Sequence, residues 1–435
     1  MKYHRSHHAK NVTLRRNLGL FEATCAGVGI IVGAGIYALI GAAAGLAGNM
    51  VWLSFLISAI VAACTGLAYA ELSSLFPKSD GEFSYTLNAF SSKALAFVIG
   101  YLVILSGVVG AAAVAMGFAG YLSQFVPVSL LILSILCILL FSFVNFWGIE
   151  QSSRLNVLFT IFEVGALVVI VLLSFGYFGS VDYTVTTPAG LTGVFSAAAL
   201  IFFAYTGFES VVKLSEETKN ARKTIPRALV LSVIITMILY MLVGISAVSV
   251  VGWDVLASSK APLALVAQTL MGGIAGIILS IVALFSTGNT VLILLVTTSR
   301  MLYGFGKDFK KLRILSKVHL TRRTPFIAVF LTGLVSALFV LLGKRIDFIA
   351  NVSNVILFLT FFVVNISVIA LRFNKKSSRV KNAFRIPFSI FRVPVLSVFG
   401  ALFCIFMLFN VALVEALVGI GLGVLGFGVY WIVKK

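Results

Sequence analysis

The chain has 435 residues, of which 60% are hydrophobic and 11% charged, and its formal net charge is +19. Soluble domains carry about 25% charged residues, so this composition excludes an ordinary water-soluble globule and makes lipid the expected solvent. The positive charge does not point to nucleic acid as a partner, because the Lys and Arg lie in connections between long apolar runs.

Cutting the sequence at every Asp, Glu, Lys and Arg leaves ten long charge-free runs: 23–70, 94–149, 164–181, 183–208, 228–253, 261–299, 324–343, 348–371, 393–414 and 416–433. A helix that crosses hydrocarbon needs about 20 residues. The run 23–70 holds two helices with a turn at GLAGNM (45–50), and 94–149 holds two more, broken near FVPVS (125–129). The expected fold is an all-α integral membrane protein with twelve spans, near 21–45, 51–76, 94–124, 129–148, 153–177, 192–213, 228–252, 263–303, 325–343, 348–371, 393–411 and 413–433. A tail over 1–20 precedes them, and the first apolar segment lacks the pattern of a cleaved signal peptide. All eight prolines are expected in connections or at helix starts, where a missing N–H costs little.

With twelve spans both termini share one side. That side carries thirty of the 33 Lys and Arg, leaving Lys260, Lys344 and Arg345 opposite. By the positive-inside rule both termini are expected to be cytoplasmic, in a multi-pass protein of the cell membrane. The basic loops face anionic lipid headgroups, and GKDFKKLRILSKVHLTRRTP (306–325) reads as a short interfacial helix. The four cysteines all fall in spans, which argues against disulfides and a zinc site, and no other metal or cofactor motif is present.

Two spans contain weak points. The first, GVGIIVGAGIYALIG (27–41), has five glycines in fifteen residues, and each loosens a helix by up to about 1 kcal/mol relative to Ala. The sixth, AALIFFAYTGFESVVKLSEE (198–217), is interrupted at Gly207 and followed at once by Glu209. Glycine spacing such as GIIVG (29–33) also serves ordinary helix packing. Paired weak points five spans apart instead indicate inverted repeats: spans 1–5 (21–177) and 6–10 (192–371), with spans 11–12 (393–433) as additions. Backbone groups freed in hydrocarbon must be paired. The N–H groups around Gly33, Ala34 and Gly35 begin a half helix and suit a carboxylate. The carbonyls of Phe203, Ala204, Tyr205 and Thr206, ahead of the break at Gly207, suit an ammonium. Together they describe a site for an amino-acid zwitterion.

These two stretches resemble the signatures of the amino acid–polyamine–organocation transporter superfamily. AYAELSSLFPKSDGEFSY (68–85), EETKNARKTIPRAL (216–229) and SRMLYGFGKD (299–308) are similar to its loop motifs. The resemblance covers nearly the whole chain. It implies a five-plus-five inverted-repeat fold and secondary active transport of amino acids or related amines, with polyamines left open. Phe203 matches the aromatic gate and Gly207 the break. The sequence departs from the pattern at Ala221, where proline is common, and in the loop after span eight, which lacks G-x-L-P.

Glu163 lies about 13 Å into the fifth span, at 1.5 Å per residue from Arg154. A mid-span charge costs about 2.5–3.5 kcal/mol on the insertion scale, so such a residue is a functional candidate. The resemblance matches it to a position where proton-coupled relatives carry lysine in place of a sodium ion. A glutamate cannot replace a cation. Three roles follow for Glu163: proton carrier, ligand for a cation with Ser286, Thr287 and Asn289, or hydrogen-bonded structural acid. Glu209 either pairs freed N–H groups of the unwound chain or carries a proton. Glu22 and Glu71 near the basic side read as gate or headgroup residues, and Glu415 as structural. Small residues in GVVGAAAVAMGFAG (107–120) leave room for a large apolar substrate side chain. A channel would need polar residues in register along several spans, and no HExxH, GxSxG or GK[ST] motif supports an enzyme. Oligomeric state is not readable from the sequence.

Overall fold

The computed structural model describes residues 18–76, 81–148, 153–212, 214, 218–374 and 383–434, with backbone alone at 153–159. Most of the expected N-terminal tail, with His4, His7 and His8, lies outside the described residues, as do Pro77 and Lys78. The order is α1 (Leu20–Ile31), α2 (Ala34–Ala47), α3 (Val51–Leu75), α4 (Glu82–Phe90), α5 (Lys93–Leu122), α6 (Leu130–Trp147), α7 (Ser153–Ser174), α8 (Gly190–Tyr205) and α9 (Phe208–Val211). Then follow α10 (Ala221–Val251), α11 (Trp253–Ser258), α12 (Pro262–Met271), α13 (Gly273–Asp308), α14 (Phe326–Gly343), α15 (Ile346–Phe373), α16 (Val395–Phe409) and α17 (Leu413–Val433). A two-stranded antiparallel ribbon, β1 (Ser389–Ile390) with β2 (Val393–Pro394), precedes α16. Among the described residues, ten helical stretches are long and apolar enough to cross a membrane. The protein is an all-α multi-pass membrane protein.

Four details differ from the sequence expectation. The stretch 263–303 is not one helix: Gly272, at φ +89°, separates α12 from α13. Pro226 lies inside α10 rather than at its start, because α10 begins seven residues before the expected 228. Within 306–325 the helical part is the 3-10 segment Lys310–Ser316, and α4 is an amphipathic helix that the apolar runs did not mark.

α5 runs through the centre, buried on nearly all sides, whereas α6, α7, α14 and α17 turn large apolar residues outward. The small residues of α5 explain its position. A Cβ at Gly107 would lie 2.2 Å from Thr298 Oγ1, one at Gly117 2.6 Å from Ala38 Cβ, and one at Gly120 2.5 Å from the Lys260 carbonyl. The space expected for a substrate side chain is therefore filled at these three positions, by helices at Gly107 and Gly117 and by the α11–α12 connection at Gly120. At Gly110 a Cβ would make ordinary contacts of 3.6–3.7 Å with Phe203 and Leu294.

Side chains suspend α8 from both flanks. Ser54 and Ser58 of α3 donate to the Val194 and Ala198 carbonyls at 2.8 and 2.6 Å. Asn354 Nδ2 of α15 donates to the Ala199 and Leu200 carbonyls at 2.7 and 3.0 Å. At the other end of α15, Arg372 forms a two-pronged ion pair with Glu71 of α3, through Nε at 2.8 Å and Nη2 at 2.5 Å. Glu71 also accepts the Ile386 amide at 2.7 Å and is 2% exposed. It is thus an internal strut rather than a headgroup residue. Removing one partner of a buried pair strands the other charge and costs about 3–5 kcal/mol. Glu71→Ala is expected to lower the thermal unfolding midpoint in detergent markedly more than Glu22→Ala, whose side chain is exposed.

Candidate functional site

Helical geometry stops twice beside the centre of the molecule. Between α1 and α2, Val32 is extended (φ −73°, ψ 98°) and Gly33 lies at φ −142°, ψ −149°. Between α8 and α9, Thr206 is extended (φ −60°, ψ 148°) and Gly207 is left-handed at φ +110°. The two interruptions touch. A Cβ on Gly35 would lie 2.4 Å from Ala204 Cα, and one on Gly207 2.9 Å from the Ile30 carbonyl oxygen. Glycine at 35 thus lets the two helices approach closely. At Gly33 the nearest atom to such a Cβ is Thr290 Oγ1 at 3.2 Å.

The freed polar groups are partly paired within the protein. The Tyr240 hydroxyl of α10 reaches both breaks, 3.2 Å from the Ile31 carbonyl and 3.3 Å from the Ala204 carbonyl. The Gly33 amide is directed at the same phenol oxygen. Thr206 donates its hydroxyl at 2.7 Å, and its amide at 3.3 Å, to the Phe203 carbonyl. Glu209 Oε2 accepts the Gly207 amide at 2.9 Å. Of the acceptors expected for an ammonium, Phe203 therefore already holds two donors and Ala204 one of the two that a carbonyl's lone pairs accept. The first amides of α2, at Ala34, Gly35 and Ile36, have no intrahelical acceptor and stand at the positive end of its dipole.

Burial defines one approach to these groups. Gly33, Thr206, Gly207 and Glu209 are half-buried, while Ala34, Gly35, Phe203, Ala204 and Tyr205 are buried. Along α2 from these groups, Tyr37 packs edge to face with Tyr121. Tyr121 donates to the Tyr37 carbonyl and Tyr37 to the Glu163 carbonyl, each at 2.9 Å, so α2, α5 and α7 are tied together there.

The Glu163 side chain is 5% exposed and faces Ser286 of α13. Ser286 Oγ is buried and closes no full hydrogen bond. Among the described side chains, Glu163 forms no ion pair; the Arg154 side chain lies outside them. Thr287 is fully buried and donates into its own helix, at 2.6 Å to the Ala283 carbonyl. Asn289 is half-buried. The structure thus brings Ser286 to Glu163 and engages the Thr287 hydroxyl elsewhere. Two residues escaped the sequence reading. Thr290, bonded at 3.0 Å to the Ser286 carbonyl, was signalled by its i+4 spacing from Ser286. Tyr240 carried no local signal.

Each hydrogen bond of this kind contributes about 1 kcal/mol net. Tyr240→Phe removes the one proton shared by the Ile31 and Ala204 carbonyls together with the acceptor of the Gly33 amide, and keeps the ring packed against Tyr205 at 5.3 Å. Amide hydrogen exchange at 32–36 and 204–208 is then expected to speed up about tenfold. Exchange in the Lys93–Leu122 helix is expected to stay unchanged.

Comparison with known proteins identifies the family. The family model described as amino acid permease matches residues 18–431. The chain is 31% identical to the branched-chain amino acid permease BcaP of Bacillus subtilis, over 96% of this chain and 93% of that one. It is 28% identical to the methylthioribose transporter of the same organism, over 92% and 90% of the two chains. With the human cationic amino acid transporter 4 it shares 29% identity, over 84% of this chain and 61% of the relative. A match over nearly the whole length, on a helical membrane scaffold without enzyme motifs, places the chain in the amino acid permease family.

Proposed function

We propose that the protein is a secondary transporter of apolar, branched-chain amino acids that binds the zwitterion between the two interruptions. The observation that carries this is the contact of Gly35 with Ala204 and of Gly207 with Ile30. It sets the amide end of α2 beside the carbonyl end of α8. The substrate carboxylate then rests on the Gly33, Ala34 and Gly35 amides. The ammonium shares the carbonyls of Phe203, Ala204, Tyr205 and Thr206, with Gly207 allowing the turn.

The branched-chain assignment has two supports. The Bacillus relative bears that name, and the nearest neighbours of Gly110, Phe203 and Leu294, are apolar. A cationic side chain would want a free carboxylate, and Glu209 is occupied by the Gly207 amide.

α1 with α2 and α8 with α9 are proposed as spans one and six of a twelve-span, five-plus-five repeat. The boundaries are 21–177 and 192–371, with 393–433 added. The half-buried edge at Gly33 and Glu209 lies toward α1 and the basic loops, which favours access from the cytoplasm in this conformation. Both termini are proposed to lie there too, in a protein of the cell membrane, on the strength of the Lys and Arg distribution. Glu163 is proposed as the coupling group, carrying a proton against Ser286. Its burial without an ion pair among the described side chains supports a proton over a sodium ion. Thr287, whose hydroxyl is already donated, and Asn289 have lesser parts.

Proteoliposomes test both claims. Saturable leucine, isoleucine and valine uptake is expected, with arginine, lysine and methylthioribose competing at least about tenfold more weakly. Preferred uptake of arginine would overturn the substrate class. Glu163→Gln is expected to abolish accumulation driven by a pH gradient while leaving substrate exchange. Full accumulation by this variant at pH 5 and 8 would remove Glu163 as carrier.

A further inference from the structure

Beyond α13, the chain does not wander off as a loop but folds back on the helix it has just left. A Cβ on Gly306 would lie 2.7 Å from the Ser316 amide nitrogen and 3.0 Å from the Leu312 carbonyl. Only a glycine lets the returning backbone lie so close to the last turn of α13. Leu315 is buried, and the Phe309 ring stacks on Phe97 and Phe305 at 4.9 and 5.7 Å. The next turn is pinned too: Thr324 Oγ1 donates to the Phe146 carbonyl at 2.9 Å, and His319 packs on Phe146 and Phe326. Residues 307–324 are therefore a built platform.

Its outer surface has a chemistry that the transport site does not use. Between 307 and 323 seven Lys or Arg stand against Asp308 alone. Lys310, Arg313 and Lys317 are exposed. Beside them Ile314 is 55% exposed and Leu320 95% exposed. Large apolar side chains placed among cations suit the boundary between headgroups and acyl chains.

Two helix ends fix the depth of this surface. α6 and α17, of 18 and 21 residues, are just long enough to cross hydrocarbon, and each carries an exposed Trp in its last turn, 147 and 431. Tryptophan at such ends marks the membrane interface. The platform touches both: the Arg322 guanidinium lies 3.9 Å over the Trp147 ring, and Lys311 Nζ donates to the Ile432 carbonyl at 2.8 Å. The cations are thus held at headgroup level and not out in bulk water.

We infer that residues 307–323, with the end of α17, form a docking surface for anionic phospholipids. Phosphate groups meet Lys310, Arg313 and Lys317, while Ile314 and Leu320 enter the acyl boundary. This inference needs only that the chain spans a membrane and is independent of the proposed substrate and coupling.

The test is native mass spectrometry of the full chain with phosphatidylglycerol or phosphatidylcholine added in equal amounts. The protein is expected to retain phosphatidylglycerol at least about fivefold more, a preference that collapses in about 0.5 M salt. The triple variant Lys310→Gln, Arg313→Gln, Lys317→Gln is expected to bring it below about twofold. The control triple Lys223→Gln, Arg385→Gln, Arg392→Gln is expected to keep it. Equal retention of the two lipids by the unaltered protein overturns the inference, and that measurement needs no variant. So does an unchanged preference in the first triple variant, or an equal loss in the control.

Discussion

The controlling constraint is that a backbone polar group cannot be left unpaired away from water. Every long helix here meets it internally, and the chain abandons helical geometry at Val32–Gly33 and Thr206–Gly207. Substitute partners stand at both places. Tyr240 serves one carbonyl of each interruption, Thr206 closes on Phe203, and Glu209 takes the Gly207 amide. What these groups leave unpaired, chiefly the first amides of α2, is where the proposed zwitterion binds. The same constraint explains why the flanks are so firmly held. Ser54, Ser58 and Asn354 fix α8 up to the turn before its end, so irregular backbone is confined to the few residues at the proposed site.

Three acids illustrate three ways of placing a carboxylate near hydrocarbon. Glu71 is neutralised by Arg372 and by an amide, and joins α3 to α15. Glu209 acts as a local cap for an amide that helix geometry no longer serves. Glu163 has a buried hydroxyl beside it and no cation among the described side chains. Burial of an acid with so little compensation is expensive, and proton carrying is the proposed reason for keeping it.

Glycine has two distinct uses in this fold. At Gly207 the positive φ itself demands it, whereas at Gly35 the backbone angles are helical and the demand comes from Ala204. Along α5 the second use dominates, which is why a stretch that looks roomy in one dimension is close-packed in three.

The sequence by itself determined the solvent, the all-α class and the family. Charge content, run length and motif order are properties of the chain that need no neighbour. It also pointed to Glu163, because an ionisable residue nine positions inside an apolar run is conspicuous in one dimension. Only tertiary structure decided what each group meets. Glu71 was read as a gate or headgroup residue, since its partner Arg372 lies about three hundred positions away. Tyr240 is one tyrosine in an apolar helix until folding brings its hydroxyl to Ile31 and Ala204. The division of α12 from α13 at Gly272 was missed because both sides are equally apolar. Composition records how much of each chemistry a span contains, whereas partners are chosen by helix packing, and packing depends on contacts that sequence spacing does not encode.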